Sequence, residues 1–262
     1  MIKVILSSES RATAANAVEY ALAPNILFLV ALDDTGRLFD LDGNFYAVTT
    51  TGAQMLRETL EHGTAMTAQR IASQYGVDTQ RVQSDLEIFL QELQRHRLLR
   101  HSTSERSCSP PRRPAATLSP LLFAPALHLV HRGFHSLKTR TWALLILARL
   151  SLGLFGWNQT VATWLQCHPM VGKHWPASEK ETVQAIEETV RAVTAAYVFG
   201  VSCKERSLCC WALLRAAQVP AALVLGINLF PLASHCWCEV GSTIVTDFPD
   251  RCAQFTPVLR YV

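Results

Sequence analysis

A cysteine lies at the start of the helix predicted from residue 203, and its position there would make it reactive. Ser202 and Glu205 have the S-x-x-E spacing of a capping box, which places Cys203 at the first helical position. Amide N–H groups at a helix start have no intrahelical partners, and the dipole there favours a negative charge. Thiols at such positions have lowered pKa values, so a nucleophile is one interpretation. A buried thiol that follows a cap by chance is the other.

A histidine and an aspartate follow on two predicted strands. The segment HCWCEV, residues 235–240, alternates and places His235 on one face, and TIVTDF, residues 243–248, carries Asp247. A thiolate attacks a carbonyl, an imidazole moves the proton and an acid orients the imidazole. A lone histidine on a strand is more often structural. The order Cys203, His235, Asp247 therefore indicates nucleophilic catalysis.

The turn between these two strands decides whether such a triad can form. A two-residue loop at Gly241-Ser242 would pair Asp247 with Cys236, and His235 and Asp247 would then point to opposite faces. A three-residue loop over 241–243, or one bulge between 236 and 246, would bring them to the same face. We expect that irregularity. A regular hairpin with Asp247 turned away would transfer the orienting role to Asp250.

Length, composition and charge restrict the classes of protein. The chain has 262 residues, 49% of them hydrophobic, and a net charge of only +3. It can therefore fill one large or two modest cores, and it lacks the basic excess of nucleic-acid-binding proteins. The start MIKVILSSES has too short an apolar run for a secretory signal, so we expect a cytoplasmic protein.

The cysteines are interpreted mostly as reduced core thiols. There are eight, and in a chain without a signal peptide they indicate a reducing compartment. Zinc is the rival explanation, but the CC and C-x-C spacings here differ from the C-x₂₋₄-C pairs of zinc ribbons and fingers. We expect no bound metal.

The longest apolar stretch is WALLILARLSLGLFGW, residues 142–157. It is short for a membrane span and carries Arg149, which favours a buried or amphipathic helix over a transmembrane one. We accordingly expect no membrane partner, with contact at a membrane surface left open.

A Ser-, Pro- and Arg-rich segment divides the chain. We predict an N-terminal domain over residues 1–105, a linker over 106–120 and a C-terminal domain over 121–262. In the first domain, strands over 25–33, 37–42 and 45–49 precede three helices, an order that predicts a winged helix-turn-helix. Asp85, Glu87 and Glu92 on the third helix argue against DNA binding, because phosphate contacts require a basic face.

The N-terminal domain resembles the small PqqD-like domain, the precursor-peptide recognition element of ribosomal peptide-modifying systems. The resemblance covers about residues 25–100 and depends on positions that match the family pattern: Gly43, Phe45, Val48, Gly52, Val82, Asp85, Leu86, Phe89, Leu90 and Leu93. It implies that a leader peptide adds as an extra strand beside the third strand and packs on the third helix. The residues expected to bind it are Phe45, Tyr46, Ala47, Val48, Val82, Asp85, Leu86 and Phe89, of which the inward-facing ones also belong to the core.

The C-terminal domain resembles papain-like and transglutaminase-like cysteine enzymes, and more specifically the transglutaminase-like leader peptidase of lasso-peptide biosynthesis, the B protein. Two motifs carry this resemblance over about residues 130–255: Cys203, Arg206, Ser207, Leu208, Leu213, Leu214, Arg215 and Ala221, then His235, Trp237, Glu239, Gly241, Val245 and Asp247. Lys204, Gln218, Cys236 and Cys238 depart from the family pattern, and none of them belongs to the triad.

Together the two resemblances imply an α+β chain that fuses a recognition domain to a papain/transglutaminase-like domain with helices packed on an antiparallel sheet. They imply the catalytic residues Cys203, His235 and Asp247, a lasso precursor peptide as substrate and an asparagine-synthetase-like cyclase as partner. The phosphate-cradling pattern GxxxxGK[ST] is absent from the sequence, so we expect no bound cofactor and assign the pathway's ATP to the cyclase.

Two other functions fit the same residues. A transglutaminase-type acyl transferase would use the same triad to form isopeptide bonds. A non-catalytic peptide-binding adaptor would leave Cys203 inert. Product mass separates the first alternative from a peptidase, and alkylation of Cys203 at neutral pH tests the second.

Overall fold

The chain divides into two compact units, Met1–Arg113 and Pro114–Val262. The computed structural model describes residues 3–5, 19–102, 118–168 and 179–262. The division falls inside the predicted linker, residues 106–120, most of which lies outside the described residues. A helix begins at Leu118, so the last three residues of the predicted linker are helical.

The first unit contains six described strands where the sequence predicted three. They are β1 (Lys3–Ile5), β2 (Tyr20–Leu22), β3 (Ile26–Val30), β4 (Gly36–Asp40), β5 (Phe45–Val48) and β6 (Leu99–His101). The predicted strands correspond to β3, β4 and β5, which form an antiparallel sheet in the order β1–β3–β4–β5, while β2 and β6 form a separate pair. The predicted strand count was therefore wrong, because three-residue strands are too short to show an alternating pattern.

Three helices follow β5, as predicted. They are α1 (Thr50–His62), α2 (Thr64–Tyr75) and α3 (Thr79–Arg95). Asp78 caps α3, since its carboxylate accepts the N–H of Arg81 at 3.0 Å. Leu86 and Leu90 of α3 pack with Phe28 and Leu38 of the sheet in one buried cluster. The apolar stripe of α3 therefore faces the sheet, as its helical spacing predicts.

The second unit packs helices on a four-stranded antiparallel sheet, which confirms that part of the predicted architecture. Its helices are α4 (Leu118–Gly133), α5 (Leu137–Cys167), α6 (Glu179–Ala195), α7 (Cys203–Ala216) and the short α8 (Pro249–Cys252). Its strands are β7 (Ala221–Leu229), β8 (Leu232–Val240), β9 (Thr243–Val245) and β10 (Thr256–Tyr261), in the order β10–β7–β8–β9. Every residue from Ser207 to Arg215 of α7 is buried, because this helix packs between the sheet and α5 and α6.

The apolar stretch 142–157 belongs to α5, which bends at Gly156 (φ 70°). Within the described part of the chain, α5 alone is long and apolar enough to cross a membrane by length and composition, a test that core helices of soluble proteins also pass. This helix packs against α4, α6 and α7.

Candidate functional site

The start of α7 has the predicted capping box. The Ser202 hydroxyl accepts the N–H of Glu205 at 3.2 Å, and the Glu205 carboxylate accepts the N–H of Ser202 at 2.9 Å. Cys203 is consequently the first residue of the helix, and it is half-buried. The local sequence thus places this thiol among the outward-pointing amides of a helix N-terminus.

Arg149 of α5 holds the segment that precedes the cysteine. Its Nε donates to the Glu205 carboxylate at 3.1 Å, and its Nη2 donates to the carbonyl of Gly200 at 2.7 Å. One guanidinium therefore fixes both the capping glutamate and the loop before Ser202. The charged residue that interrupts the apolar run of α5 therefore stabilises the start of α7.

The three predicted catalytic residues come together in the structure. His235 lies on β8, is 2% exposed, and its Nε2 lies 2.8 Å from Oδ2 of Asp247. The thiol of Cys203 hydrogen-bonds to the same imidazole. Since Nε2 faces Asp247, Nδ1 is the ring nitrogen left for the thiol. The order is that of a nucleophile, a proton carrier and an orienting acid.

The turn between β8 and β9 is the regular two-residue hairpin that we did not expect. Val240 pairs with Thr243 and Cys238 with Val245, so the predicted three-residue loop or bulge within the ladder was wrong. Pairing stops at Val245, and Thr246 adopts φ 68°, in the left-handed region. This single residue turns the chain out of the ladder, and it brings the Asp247 carboxylate to His235 despite the regular loop. The expected hydrogen bond is therefore present, and Asp250 is not needed for it.

The carboxylate of Asp247 is held from several directions. Its Oδ2 accepts Nη2 of Arg206 at 2.5 Å as well as facing His235, and its Oδ1 accepts the N–H of Phe248 at 2.8 Å. Burial raises the pKa of Asp247, but the Phe248 amide, the Arg206 charge and the His235 hydrogen bond outweigh it and leave the pKa below its ordinary value. Asp247 is thus ionised and oriented.

The thiol of Cys203 differs electrostatically from the fully buried thiols of Cys209, Cys236 and Cys238. Burial raises its pKa, but hydrogen bonds from His235 and the Cys236 amide, with the charges of His235 and Lys204, bring it below the ordinary value of 9.0. Burial raises the pKa values of Cys209, Cys236 and Cys238 well above that value. Of these four thiols, Cys203 is therefore the one whose thiolate the site favours.

Aromatic rings fix the orientation of His235. The ring of Phe255 lies 5.0 Å from the imidazole and that of Trp237 lies 6.1 Å from it, centroid to centroid. Gly226 on β7 pairs with His235, and a Cβ added there would lie 2.7 Å from the Trp237 ring. Only glycine leaves room for that ring, so this position supports the histidine indirectly.

A groove lies between β5 and α3 in the first unit. Its volume is about 480 Å³. It is lined by Tyr46, Ala47, Val48, Thr49, Thr51, Gly52, Met55, Phe89, Glu92, Leu93, His96 and Leu98. A Cβ on Gly52 would lie 2.7 Å from a methyl of Val48 and 3.4 Å from the ring of Phe89, so glycine lets both side chains pack at the groove floor.

One wall of this groove is an unpaired strand edge. Strand β5 pairs with β4 on one side and lies at the end of its sheet among the described residues. Asp40 donates to the carbonyl of Asn44, which marks the 40–44 pair as hydrogen-bonded, and alternation makes the 37–47 pair non-bonded. The N–H and C=O of Ala47 therefore point away from β4, toward the open edge.

Comparison with protein families finds a match for each unit. The family described as coenzyme PQQ synthesis protein D (PqqD) matches residues 4–99, and the transglutaminase-like superfamily matches residues 143–260. The chain is a fusion of a PqqD-like and a transglutaminase-like region. Comparison with curated proteins and with solved structures gives no significant match.

The PqqD-like unit places only half of the eight predicted peptide-binding residues in the groove. Tyr46, Ala47, Val48 and Phe89 line it. The other four do not: Phe45 stacks on Phe39, Val82 packs in a cluster with α2, Leu86 is 1% exposed in the core, and Asp85 is exposed outside the groove. The helical spacing that suggested Val82 and Leu86 reflects their burial against the sheet and α2.

Among the residues that the structure describes, one cluster of metal-ligand types lies in the transglutaminase-like unit. Ligand atoms of His235, Asp247 and Cys252 lie within 4.8 Å of one another. However, His235 and Asp247 already bond each other, and Arg206 occupies the same carboxylate oxygen. Burial raises the pKa of Cys252 to about 11, so its thiol is protonated. This donor set suits a hydrogen-bonded dyad better than a cation.

Sequence reasoning missed the residues that support the triad. The motif comparison includes Arg206 without giving it a role, although its spacing of three from Cys203 puts both near the same helix end. Thr246 gave no signal, because a β-branched residue is not expected at positive φ. Glu187 and Arg191 of α6 show only the i,i+4 spacing of an ordinary helix ion pair.

Proposed function

We propose that this protein is the leader peptidase of lasso-peptide biosynthesis, which binds the leader of a precursor peptide and cleaves the leader–core bond. The observation that carries the proposal is the contact of Cys203, His235 and Asp247 in a chain that also has a PqqD-like unit with an open strand edge. Transglutaminase-like proteins include cysteine peptidases and transferases, and PqqD-like domains recognise precursor peptides.

The reaction proceeds through a thioester. The thiolate of Cys203 attacks the carbonyl carbon of the last leader residue, and the developing oxyanion is stabilised by the Cys203 N–H at the helix start. The C–N bond then breaks as the His235 imidazolium gives its proton to the leaving amine. Water, deprotonated by His235, hydrolyses the thioester and releases the leader. Asp247 stabilises the imidazolium throughout.

The groove between β5 and α3 supplies the binding energy for the leader. The outward N–H and C=O of Ala47 pair with the main chain of an added strand, and side chains of that strand enter the apolar space before Phe89 and Leu93. The new N-terminus of the core peptide then passes to an asparagine-synthetase-like cyclase, which binds the ATP of the pathway. We place both steps in the cytoplasm.

The proposed function predicts that a short precursor peptide is encoded beside the gene, and the test uses that peptide. Full-length protein is incubated with that peptide and the masses are followed. We expect two fragments whose summed mass exceeds that of the precursor by one water. A product that has lost ammonia would instead identify an acyl transferase. Binding without any mass change, together with a Cys203 that resists alkylation at neutral pH, would identify an adaptor.

A further inference from the structure

The residue that turns Asp247 toward His235 is held in an unfavourable conformation. Thr246 is β-branched, 3% exposed and has φ 68°. Its hydroxyl finds no hydrogen-bond partner among the described residues. Such a backbone costs on the order of 1–3 kcal/mol and persists only where the surroundings hold it. The Thr246 hydroxyl contributes no hydrogen bond to that restraint.

Helix α6 provides the restraint. Oε1 of Glu187 accepts the N–H of Thr246 at 3.2 Å. The same oxygen accepts Nε and Nη2 of Arg191 at 3.1 and 2.8 Å. Nη2 of Arg191 also lies 3.4 Å from the carbonyl oxygen of Asp247, and its guanidinium lies 5.3 Å from the ring of Phe248. Each residue of the turn 246–248 therefore contacts one ion pair on α6.

We propose that Glu187 and Arg191 are positioning residues that hold the 246–248 turn, so that the Asp247 carboxylate stays on His235. This inference rests on the proposed function only for the catalytic role of Asp247. The contacts that hold the turn do not depend on that function. An i,i+4 ion pair on a helix surface contributes about 0.3–0.5 kcal/mol to stability. A purely structural pair would therefore leave the chemistry of Cys203 unchanged, whereas a positioning pair would not.

The connection to Cys203 is electrostatic. Asp247 stabilises the charged form of His235, and charged His235 stabilises the thiolate. If the turn relaxes and the carboxylate moves away, the pKa of Cys203 rises. Lys204 and the Cys236 amide also stabilise the thiolate, and Arg206 also holds Asp247. Because these groups remain in place, the rise in the pKa of Cys203 should be partial.

The experiment measures the pH dependence of Cys203 alkylation by iodoacetamide in the full-length protein, where the thiolate displaces iodide. Peptide mapping by mass spectrometry assigns the label to Cys203. We expect Glu187→Ala to move the midpoint of the profile to higher pH by about 0.5–1 unit, and so to slow labelling by about three- to tenfold at pH values below the wild-type midpoint. Glu187→Gln keeps an oxygen acceptor for the Thr246 N–H, and should lie close to wild type.

Glu188→Ala is the matched control, because Glu188 is the exposed neighbour on α6 and bonds Gln184 instead of the turn. Arg191→Met serves as a second variant if Glu187→Ala does not fold, and we expect a smaller change of the same sign. A wild-type profile for folded Glu187→Ala, or an equal change in Glu188→Ala, overturns the inference. A wild-type midpoint near 9 would instead count against the proposed peptidase, so the two failures are distinguishable.

Discussion

The groove of the PqqD-like unit and the proposed triad of the transglutaminase-like unit are built in opposite ways. The groove offers main-chain groups at a strand edge and an apolar space of about 480 Å³. The triad depends on side chains, and the Asp247 carboxylate alone bonds His235, Arg206 and the Phe248 amide. Recognition of an extended peptide tolerates side-chain changes, because the main chain carries it. Catalysis does not, because it requires groups held in one geometry.

The largest expected effect is the loss of cleavage, without loss of leader binding, when the nucleophile is removed. Cys203→Ala should lower the cleavage rate of the precursor by at least about 10³-fold, since no other group replaces the nucleophile. The affinity for the leader should not change, because the groove residues belong to the other unit. Mass spectrometry measures the first quantity and fluorescence anisotropy of a labelled leader peptide measures the second. Cleavage at the wild-type rate by this variant would remove Cys203 from the mechanism.

Arg206 tests how strongly the site depends on its ion pair. Arg206→Met removes one charged partner of the buried Asp247 carboxylate and leaves His235 and the Phe248 amide in place, which should lower the free energy of unfolding by about 1–3 kcal/mol at pH 7. Arg260→Met is the matched control: its pair with Glu239 is half exposed at the arginine, and surface pairs contribute about 0–1 kcal/mol. Urea denaturation measures both.

The stability difference between wild type and Arg206→Met should depend on pH, and its sign follows from the pKa of Asp247. The pKa of Asp247 is lowered in the folded protein, so its ionised form contributes stability above its unfolded pKa of about 4. That contribution is lost as the pH falls through the folded pKa. The difference between wild type and Arg206→Met should therefore shrink on acidification below about pH 4. A difference that is constant with pH would mean that Arg206 stabilises by packing alone.

The two regions also differ in how far the sequence predicts them. The capping box at Ser202 and Glu205 was predictable because it is local and depends on spacing. The β5 edge was predictable from a strand followed by helices. The path from β9 to Asp247 was not predictable. Regular strand pairing continued as far as residue 247 would have turned Asp247 away from His235, but the pairing ends at Val245 and Thr246 leaves the ladder. The groups on α6 that contact this turn are distant in sequence, so no local pattern indicates them.

In the groove, a single N–H should matter more than a side chain. Ala47→Pro removes an amide that points to the open edge, and the hydrogen-bonded pairs with β4 stay intact. An unpaired main-chain group costs about 1–3 kcal/mol, so leader affinity should fall about 5- to 150-fold. Ala47→Ser keeps the amide and should bind like wild type. Alkylation of Cys203 should be unaffected in both variants. Equal leader affinity for the proline and serine variants, with folding shown by circular dichroism, would contradict strand addition at this edge.

The smallest effect concerns the shape of the groove floor. In Gly52→Ala the new Cβ would lie 2.7 Å from a methyl of Val48, which is too close, so the Val48 side chain must move. Val48 is only 7% exposed, so its neighbours must move with it. Overpacking of this kind costs about 1–3 kcal/mol, whereas alanine in place of glycine within α1 returns about 1 kcal/mol through helix propensity. The net loss of stability should therefore be at most about 2 kcal/mol. Because Val48 and Phe89 line the groove, the displaced side chain should narrow it and weaken leader binding by a few fold, which anisotropy titration measures.

Gly133→Ala, where the nearest atom would lie at 3.7 Å, is the matched control in the other unit. Tighter or unchanged leader binding by Gly52→Ala would show that Val48 turns away from the groove, and that the main-chain edge alone determines affinity.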